Sequence, residues 1–282
     1  MIGIKILISN SQIFLSQQQC IEQAAEKFGQ TDSAPVYSPA NPSGCLPGLA
    51  TTESEPLNTA EKPYMSLIGS LLWITITRPD AQTAISLACS HSSDPTMAHW
   101  RAALRILRYL YHTRTLGLRY KVSLRPISTS SFVDAGYGNE TGHRSRRGHM
   151  VFLSDCPITW TTRATSMVCQ STSEAEFIAA NECVKDILWL RGILGEIGFT
   201  IPPTPVYEDN QATIAMIKNH VVSARNRHFC IHMTWLREQA STKLVVFKYV
   251  SSKENIADIF TKLLAQPQFL LLRDKFMSDS SL

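Results

Sequence analysis

The chain has 282 residues, 44% of them hydrophobic, enough for one large or two ordinary domains with real cores. Lys plus Arg number 27 against 23 for Asp plus Glu, a net charge of +4, which suits a nucleic-acid partner without requiring one. Seven cysteines, an odd number with no C-x-x-C pair, argue against a disulfide scaffold or a zinc finger.

The first ten residues lack the long apolar core and cleavage site of a signal peptide. The most apolar run, Met65 to Ile76, is too short and too rich in Ser and Thr to span a bilayer. A cytoplasmic or nuclear location, with no membrane partner, is the expectation. Gly3 to Ser9 and Gln12 to Gln17 alternate about a Ser9-Asn10-Ser11 turn signal and predict a β-hairpin. Gln18 to Phe28 has Cys20, Ile21, Ala24 and Phe28 at helical spacing and stops at Gly29. Thr31 to about Asn58 is a proline-rich linker that cannot build a core.

Three helices are predicted next, Met65 to Trp73, Arg78 to about Cys89, and His99 to His112. In the third, Trp100, Leu104, Leu107 and Tyr111 form an apolar stripe beside a basic one of Arg101, Arg105, Arg108 and His112. Such a ridge can track a phosphate backbone or be the solvated face of an ordinary core helix. Gly117 to Tyr120 then reads as a short strand.

From near Ser123 the pattern changes. Phe132-Val-Asp-Ala-Gly-Tyr is a strand carrying Asp134, and Asn139 to Gly148 is a polar loop with His143, Arg144, Arg146 and Arg147. Two strands, His149 to Leu153 and Ile158 to Thr162, lead to a long helix from Ser171 to Gly198. Its expected core face is Phe177, Ala180, Val184, Ile187 and Leu188. A strand at Pro205 to Asp209, a short helix at Asn210 to Asn219, a mixed segment ending as a helix at Gln239, a strand at Lys243 to Val250 and a helix at Asn255 to Leu263 follow. The order β-β-β-α-β-α-α-β-α predicts a mixed sheet with helices on its faces.

Four acids fall at element ends in this half: Asp134, Glu176, Asp209 and Asp258. Carboxylates from separate elements are natural ligands for two Mg²⁺ ions, which hydrolyse phosphodiesters by neutralising charge at the attacking and leaving oxygens. Each acid alone also has an ordinary reading, as a helix cap or a partner of the helix dipole. Glu176 directly precedes the apolar run that packs on the sheet, whereas Glu174 is nearer the helix start and reads as an N-terminal charge. Strand alternation sends Glu208 and Asp209 to opposite faces.

At these residues the chain resembles the Pol polyprotein of copia-type LTR retrotransposons over nearly its whole length. Ser171-Thr-Ser-Glu-Ala-Glu-Phe is similar to the family's S-S-T-E-A-E-Y, and Tyr207-Glu-Asp-Asn-Gln-Ala to its Y-x-D-N-Q-S-A. Tyr249-Val-Ser-Ser-Lys-Glu-Asn-Ile-Ala-Asp-Ile-Phe-Thr-Lys resembles V-P-T-x-x-Q-x-A-D-I-x-T-K, and Phe132-Val-Asp-Ala-Gly-Tyr resembles Y-S-D-A-D-W. Thr77-Arg-Pro-Asp and His99-Trp-Arg-Ala-Ala-Leu-Arg-Ile-Leu-Arg-Tyr-Leu resemble the segment between polymerase and ribonuclease H.

The resemblance implies an α/β, ribonuclease H-like mixed five-stranded sheet with flanking helices over 125–282. Before it would lie a reverse-transcriptase remnant with linker at 1–58 and a helical connection at 59–124. It implies cleavage of the RNA strand of RNA–DNA hybrids by Asp134, Glu176, Asp209 and Asp258 with two Mg²⁺ ions, or Mn²⁺ in their place. Hybrid phosphates would be met by Arg144, Arg146, Arg147, Arg101, Arg105 and Arg108. The polymerase's Y-V-D-D turn is absent, so no DNA synthesis is expected, and the missing polymerase part is an expected partner. Departures occur where the family's K-H-I-D-I-R-Y-H reads Arg227-His-Phe-Cys-Ile-His-Met-Thr, and where its S-T-S-G-Y reads Ser145-Arg-Arg-Gly-His. A non-catalytic remnant that only binds nucleic acid is the second reading.

Overall fold

A computed structural model describes residues 3–42, 55–122, 126–218 and 230–280. The chain divides into two compact units, Met1–Val122 with Lys262–Leu282, and Ser123–Thr261.

The first unit opens with the predicted hairpin, β1 (Lys5–Ser9) and β2 (Gln12–Ser16), with Ser9 facing Gln12 across the two-residue turn. Helix α1 (Gln18–Lys27) buries Ile21, Ala24 and Ala25. Helices α2 (Tyr64–Ile74), α3 (Gln82–Cys89) and α4 (Met97–His112) follow, the second after a single 3₁₀ turn at Pro79–Ala81. Thr96 caps α4 by accepting a hydrogen bond from His99 N–H, and His99 Nδ1 accepts from the Thr96 N–H in return. The buried face of α4 is Ala102, Ala103, Ile106, Leu107, Tyr109 and Leu110. The stripe expected from the sequence is therefore rotated: Trp100, Leu104 and Tyr111 are only half-buried. Two small alanines let α4 approach its neighbours on a side where large residues do not mark the core. Strand β3 (Leu116–Lys121) then pairs antiparallel with β2.

The second unit is a meander of three antiparallel strands, β4 (Thr129–Gly136), β5 (Arg146–Leu153) and β6 (Cys156–Ala164). Helix α5 (Thr172–Glu196) crosses to β7 (Thr204–Glu208), which lies parallel to β4 with Ser131 opposite Val206. Helices α6 (Gln211–Lys218) and α7 (Cys230–Ser241) precede β8 (Val245–Tyr249), parallel to β7. The sheet order is β6-β5-β4-β7-β8, with three antiparallel strands followed by two parallel ones. A parallel neighbour needs a long crossover, which α5 provides. This is the ribonuclease H-like mixed sheet with flanking helices.

Ser171 caps α5 by accepting from the Glu174 N–H, and Glu174 reaches back to the Gln170 N–H, so Glu174 serves the helix end. Gly198, at φ 97°, takes the left-handed conformation just beyond the C-cap Ile197. Phe177, Ala180, Cys183, Val184, Ile187, Leu190 and Leu194 bury α5 against Val133, Val151 and Val206 of the sheet. Each large apolar side chain so buried contributes about 1.5–3 kcal/mol. Leu190 continues the core face, with Leu188 packed partly buried against it. Burial pushes the Cys183 thiol up to about 12, so it stays an inert apolar filler.

Helix α8 is a short turn, Asp258–Thr261, where the sequence predicted a helix from Asn255 to Leu263. It packs on the sheet because β5 has Gly148 beneath it. A Cβ there would meet Phe260 Cβ at 2.5 Å and the Phe260 carbonyl carbon at 3.0 Å, and no side-chain rotation relieves either. Gly148→Ala is expected to cost about 1–3 kcal/mol, measured as a shift of the urea midpoint.

After α8 the chain returns to the first unit, not to the ribonuclease H-like unit where the sequence reading placed 262–282. Helix α9 (Gln266–Arg273) carries Phe269, whose ring meets Tyr109 edge-on at 5.6 Å. Strand β9 (Ser278–Asp279) pairs with β3 and completes a four-stranded sheet, β1-β2-β3-β9. So short a strand leaves no periodicity to read. Among the described residues, no helix is long and apolar enough to cross a membrane.

Candidate metal centre

The end of the β4–β7 pair gathers carboxylates from both faces of the sheet. Val133 and Val206 point into the core beneath α5. Phe132 and Tyr207 point the other way and stack at 4.9 Å. Alternation therefore puts Asp134 on the α8 face and Glu208 on the α5 face. Glu176, in the second turn of α5, is 6% exposed and approaches from the helix side. Asp258 opens α8 and approaches from the opposite side.

Two groups of carboxylates result, Asp134 with Asp209 and Asp258, and Glu176 with Glu208 and Asp209. Within each group, ligand oxygens lie within 4.8 Å of one another. Asp209 belongs to both. All four acids singled out by sequence thus come to one place, and a fifth, Glu208, joins them. Strand alternation sends Glu208 and Asp209 to opposite faces, yet Asp209 lies just past the end of β7 and joins both groups. Alternation alone misses that at the end of a sheet both faces reach the same point.

Neighbours hold the acids in position. Thr261 Oγ1 donates to Asp134 Oδ2. Asn255, fully buried, donates from Nδ2 to the Val133 carbonyl at 3.0 Å and accepts the Ala257 N–H at 3.1 Å, tying α8 to β4 beside Asp134. Glu208 accepts the Asn210 N–H at 3.0 Å through Oε1, while its buried Oε2 has no hydrogen-bond partner among the described residues. Burial drives the Glu208 carboxyl well above its usual range. The Asn210 N–H works against that rise, and the charges of Asp134 and Asp209 add to it. Hard, oxygen-only donors packed this closely fit Mg²⁺ or Mn²⁺, and an orphaned buried carboxylate oxygen among them fits a bound cation.

The basic residues fare differently. Arg144 is exposed at the loop between β4 and β5. Arg146 is 2% exposed and forms a two-toothed ion pair with Glu140, at 2.6 and 3.1 Å. Its Nη1 also donates to Thr162 Oγ1, which in turn donates to the Phe260 carbonyl of α8. Arg146 is therefore buried structure, not a presented phosphate contact, because β5 begins at Arg146 where the sequence suggested loop. Arg146→Ala is expected to cost about 2 kcal/mol of unfolding free energy, read by urea titration; a phosphate contact would leave the midpoint unmoved. Arg147 is half-buried, 3.7 Å from Glu182. Arg163, exposed and paired in register with Arg147, adds a cation that no motif marked.

On α4, Arg108 donates to the Ala34 carbonyl at 2.8 Å, Arg105 to Ser38 Oγ at 3.4 Å, and His112 Nε2 lies 2.7 Å from the Ser33 carbonyl. Most of the basic stripe thus fastens the proline-rich linker, and only Arg101 stands exposed. The departing motif at Arg227, His228 and Phe229 lies outside the described residues.

No family model matches the chain. It is 32% identical over 281 residues to the retrovirus-related Pol polyprotein from transposon TNT 1-94 of Nicotiana tabacum, covering 97% of this chain and 21% of the relative. It is 29% identical over 259 residues to the Pol polyprotein from transposon RE1 of Arabidopsis thaliana, covering 91% of this chain and 17% of the relative. The chain thus spans about a fifth of the length of these curated relatives. Among solved structures, the N-terminal RNase H domain of a Mycobacterium tuberculosis protein overlaps 52% of this chain and 97% of its own, at 13% identity and a TM-score of 0.36. Strand order, rather than that overlap, carries the fold assignment.

Proposed function

We propose, since this chain belongs to the Pol polyproteins of copia-type LTR retrotransposons, that its second unit is a ribonuclease H cutting the RNA strand of RNA–DNA hybrids. One observation carries the reading: acids from four separate elements, β4, α5, the end of β7 and α8, meet around Asp209. A fold needs no such concentration of buried like charge for stability.

In-line hydrolysis of a phosphodiester requires an oriented water and neutralised charge on the attacking and leaving oxygens. Two divalent ions, Mg²⁺ or Mn²⁺, supply both when bound. Asp134 and Asp258 would hold the α8 side of the centre, Glu176 the α5 side, and Asp209 would bridge them. Thr261 and Asn255 fix the first of these carboxylates against the sheet. Arg144 and Arg163 would meet backbone phosphates, contacts that read duplex shape rather than base sequence. The polymerase part of a Pol polyprotein is the expected protein partner.

The test is cleavage of a labelled RNA–DNA hybrid with Mg²⁺, with EDTA, and with duplex DNA as control. Mg²⁺-dependent cuts in the RNA strand alone are the expected result. Hybrid binding without cleavage would favour the non-catalytic remnant.

A further inference from the structure

The resemblance accounts for four acids, and Glu208 is not among them. Its position in the family's Y-x-D-N-Q-S-A pattern is the variable one, so the motif does not ask for a carboxylate there. Yet Glu208 is fully buried, lies within 4.8 Å of ligand oxygens on Glu176 and Asp209, and keeps Oε2 without a hydrogen-bond partner among the described residues. Strand β7 fixes its direction: Thr204, Val206 and Glu208 alternate into the face that α5 covers. A buried acid is ordinarily matched by a basic group or saturated with donors. Here only backbone N–H groups, of Asn210 and Asp209, serve the carboxylate, Oε2 stays unsatisfied among the described residues, and the side chains gathered around it are themselves acids.

We infer that Glu208 is a fifth metal ligand, completing with Glu176 and Asp209 a cation site on the α5 side of the sheet that fills without nucleic acid. The inference rests on the metal-dependent reading of the centre. Two carboxylates and water hold Mg²⁺ or Mn²⁺ loosely, and substrate phosphate normally supplies the further oxygens. A third carboxylate, already buried and aimed at the same point, replaces that contribution. The α5-side ion then binds before the hybrid arrives, while the ion among Asp134, Asp209 and Asp258 binds independently of Glu208.

The experiment is calorimetric titration of the full chain with Mn²⁺, no nucleic acid present, alongside Glu208→Gln and Asp258→Asn. Wild type is expected to bind two ions. Glu208→Gln, which keeps an oxygen for the Asn210 N–H, should lose one of them or weaken it at least about tenfold. Asp258→Asn should weaken the other ion instead. The rise of the thermal midpoint with Mn²⁺, compared with each variant's own metal-free midpoint, provides a second readout insensitive to altered folding. Glu208→Gln binding two ions with unchanged affinity, or wild type binding one, would overturn the role of Glu208 and leave the ribonuclease reading standing. Two ions bound with no hybrid cleavage would do the reverse.

Discussion

Asp209→Asn is expected to abolish measurable hybrid cleavage, a drop of about 10³-fold or more, if one metal ligand accounts for some 4 kcal/mol of transition-state stabilisation. Asp209 is the residue common to both carboxylate groups, so its loss disturbs each. No other single acid in the centre has that position. Hybrid affinity should be retained or rise, since a negative charge is removed from the proposed hybrid-binding site. Single-turnover cleavage and fluorescence anisotropy on the same preparation separate the two effects. Cleavage at the wild-type rate would remove the basis of the metal centre.

Asp80→Ala is expected to have the largest effect on stability, about 3–5 kcal/mol, because it leaves a charged arginine buried and unpaired. Arg78 and Asp80 are both fully enclosed, joined by hydrogen bonds of 2.9 and 2.7 Å. The remaining Arg78 donors go to the Thr113 carbonyl and hydroxyl, at 3.0 and 2.7 Å. Tyr109 donates to Asp80 at 2.5 Å, and Arg273 of α9 lies 3.4 Å from the Tyr109 hydroxyl. The Thr77-Arg-Pro-Asp stretch is thus a fastening of the first unit.

Burial works against ionisation of Asp80, yet the charge and hydrogen bonds of Arg78 outweigh it and hold the carboxyl below its usual range. A carboxyl with a lowered folded value contributes stability that is complete above its unfolded value, about 3.9. That contribution disappears as pH falls through the folded value. Urea midpoints followed from pH 6 to pH 2 (a convenient range, roughly bracketing the carboxylates) should therefore fall below about pH 4 in wild type. Asp80→Ala should show a shallower slope there. An equal slope would mean that other carboxylates govern acid unfolding.

Much of the second unit was legible because its signals are local and repeated. Alternation marks β4 and β7, and Phe177, Ala180, Val184 and Ile187 mark the face of α5. The acids stood out because each falls near the end of a predicted element. Glu208 was not legible, because alternation tells which face a residue takes but not how far it lies from the sheet's edge. Arg146 read as loop because its neighbours are polar; its burial follows from Glu140 and Thr162, which no sequence spacing relates to it. The α4 stripe was misjudged because alanines, which allow close helix contact, carry little weight in a pattern of large apolar residues. The return of α9 and β9 to the first unit left no trace, since long-range pairing of a two-residue strand has no local signature.

That return has a consequence for the order in which the chain can mature. In topological terms the second unit, Ser123–Thr261, is an insertion between the third and fourth strands of the first unit's sheet. A ribosome delivers the inserted unit whole before it delivers β9, and domains generally fold as their residues emerge. The unit begun first is then the unit finished last. Until α9 is made, Tyr109 lacks both Phe269 and Arg273, and until β9 is made, β3 has an open edge. Stop codons or proteolytic cuts just after Thr261 would spare every acid of the carboxylate cluster and yet leave the other unit with an exposed, aggregation-prone strand.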